Sequence, residues 1–155
     1  MNLDRVAPVA APGIRILPVL HDRVDFGALA VRVLAAYDPA MVAVELPTTM
    51  AEAVDTAIAR LPQLSAVISE EPDHEAVVWI SAPGDPIVEA LRWAMERSRP
   101  RVLIDPDVPH PGGRTERFPD PQIMHELGAE TTVEIVSRLA AAEPHDDTDA
   151  LRERG

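Results

Sequence analysis

Four short apolar segments alternate with segments of helical character, and this alternation constrains the fold more than any other feature of the chain. The apolar segments are residues 14–20, 41–46, 76–81 and 101–104. Strands that alternate with helices are typical of βα units, in which each helix returns the chain so that successive strands run parallel. The sequence therefore predicts an α/β domain with a parallel sheet of about four strands, followed by C-terminal helices.

The composition favours the same architecture. Hydrophobic residues make up 46% of the 155 residues, but aromatic residues only 3%. A core of small and branched aliphatic side chains suits parallel strands that are covered by helices. The length predicts a single domain over residues 14–142. We expect a flexible N-terminus over residues 1–13 and a charged tail over residues 143–155.

Charge and cysteine content exclude several classes of function. A net charge of −12 argues against nucleic-acid and anionic-lipid partners, both of which need clustered cations. The absence of cysteine excludes disulfides, thiolate metal sites and a cysteine nucleophile. No apolar run approaches the roughly 18 residues of a membrane span, and the N-terminus does not resemble a signal peptide. We therefore expect a cytoplasmic protein with neither nucleic-acid nor membrane partners.

Capping signals predict where helices begin. Asp25 precedes a run of apolar residues at helical spacing, which predicts a helix that ends before Pro39. Thr49 is followed three residues later by Glu52, the pattern of a capping box. Asp85 precedes a proline, and proline is favoured at the first helical position. Two further helices are predicted at about 121–127 and 132–142.

Two polar segments separate these elements. Residues 70–75 are rich in acid, which predicts a solvated turn. Residues 105–121 contain five prolines and a pair of glycines, which predicts a long, mobile loop. Loops of this length in compact domains are usually functional or disordered.

Polar side chains lie where several of the predicted strands end. His21 follows the first strand, Glu45 is near the end of the second, and Asp105 follows the last. Ligands of open α/β sheets bind beyond the carboxyl ends of the strands. A histidine with carboxylates there predicts a divalent-metal site or a general acid/base pair. The alternative is that these residues are exposed loop groups, with Glu45 facing solvent at the rim of the sheet.

The chain resembles the N-terminal part of TraB/PrgY-like proteins over about residues 14–105. The resemblance is carried by residues 17–21 (LPVLH), residues 38–46 (DPAMVAVEL) and residues 101–105 (RVLID). Such proteins are related to metal-dependent hydrolases. The resemblance implies catalytic roles for His21, Glu45 and Asp105, with His21 and Glu45 as ligands of a divalent metal ion.

Two departures from the family pattern shape the functional expectation. Val19 and Leu20 replace a Gly-Thr pair, and the second histidine motif of the family has no counterpart, since neither His110 nor His125 matches it. The sequence therefore predicts a fragment or degenerate relative of a metal-dependent hydrolase, inactive as an isolated chain. The alternative is a non-catalytic interaction module of a larger bacterial assembly. Either reading predicts a protein partner or a homo-oligomer.

Overall fold

A computed structural model describes residues 3–69, 77–105 and 121–142. The chain combines helices and strands, which confirms the mixed α/β class. The elements in chain order are α1 (Leu3–Val6), β1 (Val9–Ala11), β2 (Ile14–Arg15), α2 (Val24–Tyr37), β3 (Val42–Pro47), a 3-10 turn (Thr48–Met50), α3 (Ala51–Ala59), β4 (Ser65–Ser69), β5 (Val77–Ser81), α4 (Pro86–Glu96), β6 (Arg101–Asp105) and α5 (Pro121–Ala142). The predicted acidic turn (residues 70–75) and charged tail (residues 143–155) lie outside the described residues, as does the proline-rich loop between its end residues 105 and 121.

The chain forms two compact units. One comprises Val19–Pro121, and the other comprises Met1–Pro18 together with Gln122–Gly155. In the second unit, α5 is interrupted at Gly128, whose φ of 74° and ψ of 162° are not helical. The two helical segments predicted for this region thus meet at a break. Across the described ranges of both units, no helix has the length and apolarity needed to cross a membrane.

The strands of the larger unit pair differently from the prediction. β3 and β6 are parallel, with Val42 opposite Arg101 and Val44 opposite Leu103. β4 and β5 are antiparallel, with Ser65 opposite Ser81. A sheet of four parallel strands is therefore not confirmed among the described residues. The chain passes from β4 to β5 through residues 70–76 alone, which is shorter than the dozen or so residues that a parallel crossover needs.

The first predicted strand, residues 14–20, is also shorter than expected. Only Ile14–Arg15 form a strand, and they pair antiparallel with Val9–Ala11 across a turn at Gly13. Pro18 has no backbone N–H and cannot donate to a strand ladder, which is consistent with the early end. Residues 3–11, within the segment expected to be flexible, contain α1 and β1.

Helices α2 to α5 form where the sequence predicts them, but they do not all begin with the predicted capping residue. Asp85 caps α4 and Pro86 begins it, as expected. Asp25 does not cap α2; it lies in the first turn, where its carboxylate accepts hydrogen bonds from Arg23 at 3.0 and 2.8 Å. The start of the next helix differs from the prediction: Thr49 lies in the 3-10 turn, and α3 begins at Ala51 with Met50 at its N-cap position.

The core of the larger unit lies on one side of its strands. Val42, Val44 and Leu46 of β3 are buried in a cluster with Val88 and Leu91 of α4. The alternate residues of the same strand are exposed, because successive side chains point to opposite faces. α2 packs against α4. Helices therefore cover one face of the strands, and the loop before α4 lies next to α2.

Candidate functional site at His21 and Asp85

The carboxylate of Asp85 is buried at the start of α4. One of its oxygens, Oδ1, accepts hydrogen bonds from the backbone N–H groups of Ile87 at 2.9 Å and Val88 at 3.2 Å. These N–H groups belong to the first turn of the helix and have no partner within it. The residue is only 5% exposed. Capping therefore accounts for one oxygen of this carboxylate.

The second oxygen of Asp85 reaches the turn that carries His21. Oδ2 accepts a hydrogen bond from the backbone N–H of Asp22 at 3.0 Å and lies 3.5 Å from Nδ1 of His21. Asp22 has a φ of 58°, a left-handed conformation that turns the chain sharply before α2. The His21 side chain is 49% exposed. An imidazole whose Nδ1 faces a carboxylate keeps its Nε2 for a proton or a ligand.

A close approach of two backbones holds this turn and the loop before α4 together. A Cβ on Gly27 of α2 would lie 2.1 Å from the carbonyl oxygen of Gly84, so only glycine fits there. The N–H of Gly84 donates to Oε1 of Glu89 at 3.0 Å. Glu89 is itself paired with Arg92. These contacts hold the backbone on the N-terminal side of Asp85.

The charges around His21 favour its protonated form. The pKa of His21 is raised above its ordinary value, chiefly by the contact with Asp85; burial lowers it, and the charges of Asp22 and Glu45 raise it further. Burial alone would raise the pKa of Asp85. That pKa is nevertheless lowered, because His21 and the N–H groups of Asp22 and Val88 stabilise the carboxylate. The pair thus favours an imidazolium facing a carboxylate.

The three predicted site residues lie on three different parts of the fold. His21 does not end a strand; it lies in the turn before α2. Glu45 is exposed on β3, and its charge acts on His21. Asp105 ends β6 opposite Pro47, and it is not among the groups that most affect the pKa of His21. The charge of Glu45 therefore acts on His21 from a distance, whereas Asp85 contacts His21 directly.

The role of Asp85 toward His21 was missed by sequence reasoning. Its position before Pro86 indicated a helix cap, and that prediction is confirmed. The second contact joins it to Asp22, which lies 63 positions earlier in the chain. A single buried acid before a helix carries no sequence signal for such a partner.

The same residues supply only part of a metal site. A catalytic zinc ion is usually held by three protein ligands. Within residues 3–69, 77–105 and 121–142, no group of three or more histidine and acidic side chains is arranged to hold a metal ion. His21 and Glu45 offer one nitrogen and one carboxylate. The described donors therefore do not fit a complete metal centre, and the arrangement suits proton transfer better.

No protein-family model, curated protein or solved structure matches this chain. The resemblance to TraB/PrgY-like proteins therefore stays a prediction that depends on residues 14–105.

Proposed function

We propose that this chain is a TraB/PrgY-like α/β domain, a fragment or degenerate relative of a metal-dependent hydrolase that keeps an acid/base residue at His21. The observation that supports this proposal is the buried carboxylate of Asp85, 3.5 Å from Nδ1 of His21. A carboxylate in this position orients an imidazole both in general acid/base catalysis and in metal binding.

The chemistry of the site follows from which nitrogen is engaged. With Nδ1 directed at Asp85, Nε2 of His21 is the atom that would exchange a proton with a bound substrate. Glu45 adds a negative charge near the imidazole, which favours a proton there. His21 and Glu45 alone are too few ligands to hold a metal ion tightly, so we expect the isolated chain to show no metal-dependent hydrolysis of peptides or esters.

Metal analysis of the freshly purified chain tests this proposal. The expected result is less than stoichiometric zinc, manganese or iron, with no difference between the wild type and His21→Ala. The matched control is His125→Ala, which removes an exposed histidine from α5. A tightly held, stoichiometric ion that is lost in His21→Ala and kept in His125→Ala would contradict the proposal of a degenerate relative. It would support an active metal enzyme instead.

A second candidate function, a non-catalytic interaction module, is favoured by a different observation. Large apolar side chains are exposed on the strands of the larger unit, on the side opposite the core. They include Ile68, Val78, Ile80, Val102 and Ile104. Ile68, Val78 and Ile80 belong to the sheet of β4 and β5, and Val102 and Ile104 to that of β3 and β6. Exposed apolar patches usually mark an interaction surface. We propose a second copy of this chain as the partner, because these five side chains are uncharged, so two copies can bury them against each other without placing like charges in the contact.

A further inference from the structure

A groove of about 510 Å³ runs between α3 and β4. One wall is formed by the side of α3 that carries Glu52 and Thr56, together with Arg60 directly after the helix. The other wall is formed by Ser65–Ile68 of β4. Both elements belong to the larger unit. The groove thus places a strand beside a helix with open space between them.

The wall formed by β4 is an edge strand. β4 pairs with β5 along one edge, from Ser65 to Ser69. In the part of the chain that the structure describes, no backbone hydrogen bond reaches the other edge. Alternate residues of an antiparallel strand point their N–H and C=O groups away from the partner strand. Such an edge can pair with another extended chain, which is how several peptide-binding domains capture their ligands.

The helical wall leaves room for side chains of an added strand. Ala53 and Ala57 are the residues of α3 that line the groove between its polar groups. Their methyl groups occupy little volume. A bound strand could therefore direct side chains of moderate size toward the helix while its backbone pairs with β4.

The two charged residues of the groove set the chemistry of the occupant. Glu52 and Arg60 are both exposed, and neither forms an ion pair within the described ranges. Glu52 lies on α3 and Arg60 directly follows the helix eight positions later, a separation of about 12 Å at roughly 1.5 Å per residue. An extended chain covers that distance in about four residues, and residues four apart point to the same side.

We propose that the groove binds an extended segment of a partner protein, which adds a strand to the free edge of β4. The segment carries a basic residue opposite Glu52 and an acidic residue opposite Arg60, about four positions apart. This inference is independent of the site at His21, and it shares only Ile68 with the apolar sheet face.

Two blocked heptapeptides of alternating threonine and valine test the proposal on the full chain. One carries arginine near its N-terminus and glutamate four positions later, and the other has these two charges exchanged. Binding is measured by fluorescence anisotropy and located by backbone amide shifts in NMR. The expected result is that one charge order binds at least about tenfold more tightly, with the largest shifts in Ser65–Ile68 and α3. The double variant Glu52→Arg with Arg60→Glu should reverse the preference.

Modified peptides and a control variant separate strand addition from simple charge attraction. N-methylation of alternate peptide amides removes the donors that β4 would accept from, and it should weaken binding at least tenfold without any change to the protein. Ala36→Glu, on the exposed side of α2, should leave binding unchanged. Equal binding of the methylated peptide, or no binding of either charge order, would overturn the proposal. So would self-association of the chain through β4, which would assign the edge to a second copy.

Discussion

Asp85 has two structural roles, one for each carboxylate oxygen. Oδ1 caps α4, and Oδ2 accepts from Asp22 and contacts His21. A buried carboxylate is costly unless it is paired and hydrogen-bonded. In Asp85, the contacts that compensate for burial of the carboxylate also fix the start of α4 and orient the turn of His21. The His21 imidazole is therefore held by a residue whose own position is set by the start of a helix.

Replacing Asp85 by asparagine should separate these two roles. Asparagine can still cap α4, because its side-chain oxygen accepts hydrogen bonds. It carries no charge, so the pKa of His21 should fall toward or below its ordinary value. The measurement is an NMR titration of the His21 ring protons in metal-free protein. Asp25→Asn, which weakens the pair with Arg23, should leave the titration of His21 unchanged. An unaltered pKa of His21 in Asp85→Asn would show that Asp85 does not act on the imidazole.

The same pair should make the free energy of unfolding depend on pH. His21 has a raised pKa in the folded state, so its contribution is fully present below its ordinary pKa of about 6.5 and is lost as the pH rises through the folded-state value. Asp85 has a lowered pKa, so its contribution is present above about pH 4 and is lost at lower pH. Urea unfolding should therefore show a larger loss of stability for His21→Gln at pH 5.5 than at pH 8.5. Equal losses at the two values would contradict the charged contact.

At the scale of elements, the contact between α2 and the loop before α4 depends on glycine at Gly27. The backbone of Gly84 occupies the position where a Cβ would lie. Gly84 itself has a φ of 92°, a conformation that other residues rarely adopt. The two glycines thus let α2 approach the loop that carries Asp85, which brings His21 within reach of it.

Gly27→Ala should destabilise the fold, although the same change normally stabilises a helix. Alanine in a helix interior gains about 0.5–1 kcal/mol over glycine. At Gly27 the added methyl group would overlap Gly84, and overpacking of this kind costs about 1–3 kcal/mol. Thermal unfolding of the variant should show a lowered Tm. Ala28→Gly, at an exposed position of the same helix, provides the ordinary propensity effect for comparison. A Tm equal to or above that of the wild type would mean that the backbones separate without cost.

At the scale of the whole molecule, the described helices α3 and α4 of the larger unit pack against one side of its strands. Its buried strand residues belong to one cluster with α3 and α4. The opposite side exposes Ile80 and Ile104 to 54% and 59%. Burial of apolar surface contributes roughly 25 cal/mol per Å², so association through this side would be favourable.

Ile80→Lys and Ile104→Lys should each weaken association of the chain with itself. A buried ammonium group without a partner is strongly unfavourable at an interface. Light scattering over a range of protein concentrations should give a dimer for the wild type and a monomer for the variants. Ala35→Lys, on the exposed side of α2, adds the same charge elsewhere and should leave the dimer intact. A wild type that stays monomeric at high concentration would remove the apolar side as a self-association surface.

Much of the secondary structure could be predicted because its causes are local. The apolar spacing after Asp25 predicted α2, and the Asp85-Pro86 pair predicted the start of α4. The apolar segments that became β3 and β6 were also correctly placed, and these two strands are parallel as expected, although their direct pairing was not predicted. These signals arise from contacts between residues a few positions apart, or from apolar segments whose length is typical of a buried strand.

The strand partners and the contact at His21 depended on interactions that are distant in sequence. The short apolar segment 64–68 is compatible with either a strand or a loop, and the antiparallel pairing of β4 with β5 follows from a connection too short for a crossover. His21 was placed at a strand end, but its position is set by a turn and by Asp85. The local sequence therefore determined where helices and strands form. The pairing of the strands was decided only in the packed chain. The same holds for the hydrogen bond across 63 positions that fixes the turn of His21, because the second partner of a carboxylate is selected by proximity in space and leaves no periodic pattern in the sequence.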